Sequence, residues 1–128
     1  MIILDSDVMI DLLRQFPPAT AWLEELGDEE IILPEFVIME LLQGCQNKIE
    51  QDKVEQVLSG FEAVWPSPET CENARAVFAR YHLSHSLGLL DALIGQIAIS
   101  MNLPLHTFNR KHYAVIPNLI TMEPYNKS

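Results

Sequence analysis

The stretch that decides the fold is "IILDSDVMIDLL", residues 2–13. Three apolar residues lead into Asp5-Ser6-Asp7, and an apolar pattern of helical period then carries a third acid, Asp11. This pattern predicts a short buried strand followed directly by a helix. Three carboxylates within seven residues repel one another unless something positive holds them. The chain must therefore supply that positive group, or bind it.

The composition predicts one globular domain, residues 1–128, with 48% hydrophobic residues and a net charge of −10. No secretory signal is predicted, because the N-terminus has no basic region and acids interrupt its apolar residues. The longest apolar run, residues 87–99, is too short to cross a bilayer. We therefore expect no membrane association and a cytoplasmic location, with Cys45 and Cys71 as reduced core thiols.

Strand and helix patterns alternate along almost the whole chain, which predicts a parallel sheet covered by helices on both faces. The predicted strands are residues 2–4, 30–34, 62–65, 104–108 and 119–122. The predicted helices are residues 7–16, about 18–26, 35–44, 50–61 and 89–101, with another that begins at Ser67 or Pro68. Functional groups in such sheets gather beyond the carboxyl ends of the strands, where Asp5 is expected.

Two further acids lie in apolar surroundings. Glu40 in "FVIMELLQG" and Asp91 in "LGLLDALIG" have hydrophobic neighbours on both sides, and no Lys or Arg lies within a turn of either. A buried carboxylate without a partner costs several kcal/mol or stays protonated. The alternative for Asp91 is a helix N-cap, although Ser84 and Ser86 are better placed to begin that helix.

Asp5, Glu40 and Asp91 each lie at the carboxyl end of a strand or on a helix that follows one. We therefore expect them to converge at one edge of the sheet, with Asp7 beside them. Converging carboxylates without a basic partner form an oxygen-rich site. Such a site suits Mg²⁺ or Mn²⁺ better than zinc.

Two other interpretations of these residues are open. A zinc site would use Cys71, His82 and His85, but the spacings match no familiar zinc motif. "LDSDVMI" also resembles the signature of the haloacid-dehalogenase phosphatases, which would make Asp5 the nucleophile and Asp7 the general acid. That family also needs a later lysine and a distal acidic pair. The lysines of this chain lie in polar segments unlike the expected one, and after Asp91 the only acid is Glu123.

Four segments, in order, resemble the motifs of the PIN-domain nucleases, specifically the VapC-type toxin ribonucleases of toxin–antitoxin pairs. "ILDSDVMIDLL" is similar to the family's LDTNVLIDLL-like start, "VIMELLQG" to its second acidic motif and "LLDALIGQIAI" to its third. "LHTFNRKHY" followed by "LITMEP" resembles its closing T-x-N-x-x-[DH]-[FY] motif and final strand. The resemblance implies a PIN-like three-layer α/β/α sandwich with a central, mainly parallel sheet of four to five strands.

The same resemblance implies a catalytic metal site. Asp5, Glu40 and Asp91 would bind one or two Mg²⁺ or Mn²⁺ ions. Thr107 and Asn109 would lie at the same site and position water, metal or phosphate, with Asn109 among the catalytic residues.

Two positions depart from the family pattern. Asp7 stands where the family usually has Asn, and His112 stands where many members have a fourth Asp. His112 therefore leaves the number of metal ions open, and an ordinary surface role for it is equally compatible with the sequence. Arg14, Arg110 and Lys111 are expected to contact RNA phosphates near the ion, or else serve as solubilising charges.

The sequence thus predicts a metal-dependent endoribonuclease that acts as the toxin of a type II toxin–antitoxin pair. The alternative is a PIN-like binding module that kept the fold and lost the chemistry. The expected partners are an RNA substrate, a cognate small antitoxin and a second copy of the chain in a homodimer. The antitoxin is expected to place a basic side chain among the carboxylates and an amphipathic segment over the apolar helices around 36–42 and 18–26.

Overall fold

The central sheet consists of five short strands. In the computed structural model, which describes residues 1–127, these are β1 (Ile2–Leu4), β2 (Ile31–Pro34), β3 (Glu62–Val64), β4 (Leu105–His106) and β5 (Thr121–Met122). Their order across the sheet is β3-β2-β1-β4-β5, and every neighbouring pair is parallel. Ser128, the last residue of the predicted domain, lies outside the described residues.

Seven helices within residues 1–127 connect and cover the strands. They are α1 (Ser6–Leu13), α2 (Pro17–Leu26), α3 (Glu35–Gln43), α4 (Lys48–Leu58), α5 (Pro68–His85), α6 (Leu89–Ser100) and α7 (Arg110–Tyr113). Crossovers between parallel strands are right-handed almost without exception. The crossovers from β1 to β2 and from β2 to β3 therefore place helices α1 to α4 on one face of the sheet, where α1 packs against α3. The return from β3 to β4 puts α5 and α6 together on the other face. The predicted three-layer architecture is confirmed.

Several element boundaries differ from the prediction because local chemistry sets them. The first helix ends at Leu13 rather than at 16, since Gln15 adopts a positive φ of 57° before Pro17 begins α2. The helix predicted from residue 50 begins at Lys48, because the Asn47 side chain caps it by accepting a hydrogen bond from the Glu50 N–H. Helix α7 was not among the predicted helices.

The last two strands are shorter than predicted. β4 contains two residues where 104–108 was expected, and β5 contains two where 119–122 was expected. Alternating apolar residues mark the right segments, but the sheet hydrogen bonds extend over only part of each. Because β4 ends at His106, Thr107 lies in the loop beyond the carboxyl end of the strand.

The core lies on both faces of the central strands. Ile3, Leu4 and Leu33 are fully buried, as expected for parallel strands covered on two sides. Helix α6 is apolar on most of its circumference, and Gly95 lets the segment between α7 and β5 approach it closely. A Cβ at Gly95 would lie 2.9 Å from Ile116 Cδ1. The core therefore fixes α6, and with it the start of the helix.

Two composition-based expectations concern thiols and membranes. Cys45 and Cys71 are free thiols, but both are only half-buried, so the placement of both in the core was wrong. In the described part of the chain no helix has the length and hydrophobicity needed to span a bilayer.

Candidate functional site

The candidate site lies beyond the carboxyl ends of β1 and β4, where the strand order changes direction. The helices that follow these two strands leave on opposite faces of the sheet, which opens a crevice between them. Asp5 follows β1 and Thr107 follows β4. The Thr107 hydroxyl donates a 2.8 Å hydrogen bond to Asp5 Oδ2, so segments 102 residues apart in sequence meet here.

Asp5 is 3% exposed and is held by three hydrogen bonds. Its Oδ1 accepts one from the Ser6 N–H at 2.8 Å, which caps α1. Its Oδ2 accepts from the Thr107 hydroxyl and, at 2.9 Å, from the Tyr113 hydroxyl. Each carboxylate oxygen has about two acceptor sites, so Oδ2 is fully used while Oδ1 retains one. Asp5 can thus bind a cation through Oδ1 and keep all three of its hydrogen bonds.

Asp7 lies in the first turn of α1 and ties that helix to the loop after β4. Its Oδ1 accepts from the Val8 N–H and its Oδ2 from the Phe108 N–H, each at 2.8 Å. Burial, and then the charge of Asp5, raise the pKa of Asp7, while these two N–H groups and Lys127 oppose the shift. Asp7 is therefore engaged in holding the site together.

Glu40 on α3 carries an unsatisfied oxygen. Among the described residues, its buried Oε1 has no hydrogen-bond partner. Burial is the largest cause that raises the pKa of Glu40 to about 7, followed by the charges of Asp5, Asp91 and Asp7. Near pH 7 this side chain is therefore about half protonated, and a nearby cation would favour its ionised form.

Asp91 lies in the first turn of α6, and Gly88 is the N-cap. The predicted starts at Ser84 and Ser86 are wrong, because α5 continues to His85 and Ser86 then adopts a left-handed conformation with φ 55°. The N-cap alternative for Asp91 is also wrong, since the helix begins before it. The carboxylate instead benefits from its position near the positive end of the α6 dipole.

The environment of Asp91 links it to the other acids. Burial raises its pKa most, and the charge of Asp5 adds to this. The Tyr113 hydroxyl and the charge of His112 act in the opposite direction. Asp5 therefore influences the pKa of Asp7, Glu40 and Asp91 alike.

The four acids share one electrostatic environment without forming a closed ligand cage. Within residues 1–127, no group of three or more His, Cys, Asp or Glu side chains is already arranged to hold a metal ion. In the same residues no Lys or Arg makes a salt bridge to Asp5, Asp7, Glu40 or Asp91. Their repulsion is therefore uncompensated by an ion pair. A divalent cation would relieve this repulsion.

The closing motif forms one side of this site. Thr107 is fully buried, and its Oγ1 accepts a 3.0 Å hydrogen bond from the Asn109 N–H. Asn109 is exposed at the start of α7, and its side chain makes no capping bond there. His112 is exposed on the same short helix. Thr107 therefore contacts Asp5 directly, Asn109 is bonded to Thr107, and His112 acts on Asp91 through its charge, while their predicted roles remain predictions.

The three basic residues expected near RNA occupy different places. Arg110 Nε donates a 3.2 Å hydrogen bond to Thr121 Oγ1 beside β5, and Lys111 is exposed on α7. Arg14 ends α1 and lines a cavity of about 520 Å³, which Glu40 also lines. Of the three, Arg14 therefore shares a cavity with one of the acids, Glu40.

The zinc alternative is wrong. Cys71 lies near the start of α5 and His82 near its end, eleven residues and about 16 Å apart along the helix axis. His82 stacks on the Phe78 ring with centroids 4.4 Å apart, and His85 Nδ1 lies 2.7 Å from the hydroxyl oxygen of Ser84. These residues cannot share one ion.

The third acid of the opening stretch is neutralised separately. Asp11 accepts a 2.7 Å hydrogen bond from the Tyr125 hydroxyl, and Lys127 Nζ lies 3.0 Å from the same Oδ2 atom. Lys127 also lies over the Phe108 ring, 4.2 Å from its centroid. This role of Lys127 was not predicted from the sequence, because only the fold brings the chain's last residues to α1.

Tyr113 is the other site residue that was not predicted. Its hydroxyl contacts Asp5. In sequence it occupies the [FY] position of the closing motif, which marks an aromatic residue there but does not distinguish Tyr from Phe, so the motif gives no sign of the hydroxyl's role.

Residues 2–116 match the family model of the PIN domain. Ribonuclease VapC19 from Mycobacterium tuberculosis (strain ATCC 25618 / H37Rv) is 32% identical over 125 residues, covering 93% of this chain and 97% of that protein. Ribonuclease VapC10 from the same strain is 32% identical over 121 residues, covering 93% of this chain and 90% of that protein.

Solved structures agree with these sequence matches. A chain of VapBC2 from Rickettsia felis, crystallised bound to a DNA fragment from their promoter, has a TM-score of 0.78 and 28% identity, with 96% of this chain and 98% of that chain covered. A chain of a toxin–antitoxin complex from Klebsiella pneumoniae has a TM-score of 0.76 and 26% identity, with 98% and 99% covered. The family match replaces the phosphatase interpretation of Asp5 and Asp7. This chain belongs to the PIN domain family.

Proposed function

We propose that this protein is a metal-dependent endoribonuclease that acts as the toxin of a type II toxin–antitoxin pair. The observation that carries the proposal is the buried, unpartnered Oε1 of Glu40, which lies close enough to Asp5, Asp7 and Asp91 for their charges to raise its pKa. The proteins named ribonucleases VapC19 and VapC10, to which the chain is similar along almost its full length, support RNA as the substrate.

The donor set fits Mg²⁺ or Mn²⁺, since both ions prefer carboxylate oxygens. Asp5 would contribute Oδ1, the oxygen with a free acceptor site, and Glu40 and Asp91 would complete the set. When bound, such an ion supplies Lewis-acid activation of the phosphodiester and of an attacking water.

The residues around the acids have separate tasks in this proposal. The carboxylates would serve as ligands, and one of them would accept the proton of the attacking water. Asn109 would hydrogen-bond a phosphate oxygen through its exposed amide. Thr107 holds Asp5, and Asp7 holds the loop that carries Thr107.

The basic residues would orient the RNA strand. Lys111 on α7 and Arg14 at the end of α1 are exposed, and Arg110 is partly engaged by Thr121. Contacts of this kind fix the register of a nucleic acid and carry no base specificity. In an acidic protein, these basic groups and a cation held by the acids would together favour RNA binding at this site.

Cleavage of single-stranded RNA in Mn²⁺ tests the proposed function. We expect Asp5→Asn to abolish cleavage, because it removes a charged ligand and keeps the shape. Asp11→Asn is the matched control, since Asp11 is on the same helix but pairs with Tyr125 and Lys127. RNA that is bound but left intact by the wild-type protein would favour the inactive binding module instead.

An antitoxin partner is proposed by relation to the toxin–antitoxin complexes from Rickettsia felis and Klebsiella pneumoniae. The cavity beside Glu40 offers apolar walls from α1, α3 and α4, where an amphipathic segment could lie, formed by Ile10, Leu13, Leu41, Val54 and Val57. This agrees with the expected use of residues 36–42. Residues 18–26 contribute nothing to this cavity, so their expected use has no support there.

A homodimer is proposed on family relation. Exposed apolar side chains on one copy, such as Met39 and Trp65, would be covered by a second copy. Light scattering at micromolar concentration is expected to give about twice the chain mass of 14.5 kDa. A mass equal to that of a single chain would contradict the dimer.

A further inference from the structure

Tyr113 combines a core position with a contact to a candidate metal ligand. The residue is 1% exposed and ends α7, which packs against α6 and β5. Its ring belongs to the main hydrophobic core, so the core fixes its position independently of the carboxylates. The one polar atom of the side chain donates a 2.9 Å hydrogen bond to Asp5 Oδ2.

The Tyr113 hydroxyl lies between two of the acids. It hydrogen-bonds Asp5, and it is close enough to Asp91 to favour the ionised form of that carboxylate. A tyrosine hydroxyl has a single proton, so it can donate to only one carboxylate at a time. In this structure the proton goes to Asp5.

The two oxygens of Asp5 are therefore unequal. Oδ2 accepts from Thr107 and Tyr113, and Oδ1 accepts only from the Ser6 N–H. Removal of the Tyr113 hydroxyl would free an acceptor site on Oδ2. Asp5 could then rotate and present either oxygen, which would weaken the preorganisation of the ligand.

We infer that Tyr113 is a positioning residue, whose hydroxyl occupies Oδ2 of Asp5 and thereby directs the free acceptor site of Oδ1 toward the cation. This inference rests on the proposed function, because it requires that Asp5 bind a divalent ion. It assigns to a buried tyrosine the kind of outer hydrogen bond that orients ligands at metal sites.

The test compares two tyrosine variants in the full-length protein. Tyr113→Phe keeps the ring and removes the hydroxyl. Tyr125→Phe removes a bond of the same type, the 2.7 Å hydrogen bond to Asp11, outside the candidate ligands. We expect Mn²⁺ affinity, measured without RNA by electron paramagnetic resonance of free Mn²⁺, to fall about tenfold for Tyr113→Phe and to stay unchanged for Tyr125→Phe.

Rescue by metal separates positioning from a purely structural role. RNA cleavage by Tyr113→Phe should be weak at low Mn²⁺ and recover as Mn²⁺ is raised, with the metal-free melting temperature measured alongside. The wild-type protein provides a second readout that needs no variant to fold. Mn²⁺ should perturb the near-ultraviolet absorption of a buried tyrosine, and this difference spectrum should persist in Tyr125→Phe.

The outcomes distinguish failure of the positioning role of Tyr113 from failure of the proposed function. Equal Mn²⁺ affinity for wild type and Tyr113→Phe would overturn the role of Tyr113 while the proposed function stands. That role is equally overturned if Tyr125→Phe weakens Mn²⁺ binding as much, or if Mn²⁺ leaves the wild-type tyrosine spectrum unchanged. Failure of the wild-type protein to bind Mn²⁺ would overturn the inference together with the proposed metal site.

Discussion

At the scale of single residues, Asp91 separates metal ligation from stability. Burial and the charge of Asp5 raise its pKa, so its ionised form destabilises the metal-free fold. We expect Asp91→Asn to lose RNA cleavage and to bind Mn²⁺ more weakly, while the metal-free protein melts at the same temperature or higher. Cleavage assays and thermal unfolding on one variant measure both effects.

The control for Asp91 is Asp52→Asn. Asp52 is an exposed acid on α4 that pairs with Lys48, so its replacement should leave cleavage intact. Retained cleavage by Asp91→Asn would remove Asp91 from the ligand set.

Glu40 is expected to make stability depend on pH. Its folded-state pKa of about 7 lies above its ordinary value of 4.5. As pH rises from 4.5 to about 7, the unfolded chain ionises first, so the metal-free protein loses stability, and the loss is complete above that range. Glu40→Gln removes this loss. Its melting temperature should therefore exceed that of the wild type by more at pH 8 than at pH 5, as measured by thermal unfolding in a metal chelator.

A melting-temperature difference between Glu40→Gln and wild type that stays constant from pH 5 to pH 8 would contradict this account. In that case the pKa of Glu40 would be the same in the folded and the unfolded chain.

At the scale of elements, α7 is the short helix that would present positive charge to RNA. Lys111 is exposed there. In the Asp5→Asn background, which should not cleave, we expect Lys111→Ala to weaken RNA binding by a similar factor for all sequences. The slope of log K against log salt should fall by about 0.7, the value for one lost phosphate contact on a single strand.

Lys48→Ala is the matched control for Lys111→Ala, because Lys48 is also exposed but pairs with Asp52 on α4. Filter binding across a salt series gives both slopes. Equal slopes for Lys111→Ala and the unaltered background would show that Lys111 does not contact phosphate.

The elements also show which parts of the fold a sequence can reveal. β1 and α1 were predictable because a continuous apolar run ends at Asp5 and apolar residues of helical spacing follow it. The start of α6 was predicted at residue 89, where the helix does begin. Its cap was not predicted, because Gly88 takes that position while Ser86 adopts a left-handed conformation. Asp5, Glu40 and Asp91 were identified as acids in apolar surroundings. The role of Tyr113 was not predicted, because its hydroxyl contacts Asp5 only in the folded structure.

At the scale of the whole molecule, a net charge of −10 makes divalent cations a general stabilising influence. A specific site adds to this. An ion that binds only the folded state stabilises it by about 2.7 kcal/mol at a hundredfold excess over Kd, equivalent to a rise in melting temperature of roughly 10 °C for a domain of this size. Thermal unfolding with and without Mn²⁺ measures this rise.

Sodium chloride at matched ionic strength controls for screening in the Mn²⁺ measurement, since it lacks affinity for a carboxylate site. The rise should be smaller in Asp91→Asn. An unchanged melting temperature in millimolar Mn²⁺ would argue against a shared ion.

The hydrogen bond between Thr107 and Asp5 spans 102 residues, and that from Tyr113 spans 108. During synthesis, Asp5 leaves the ribosome long before either partner exists. At about 5–20 residues per second, the nascent chain spends several seconds with its first acid unsupported. A chain built this way carries its own delay, because Asp5 gains these two hydrogen bonds only after Thr107 and Tyr113 have been synthesised.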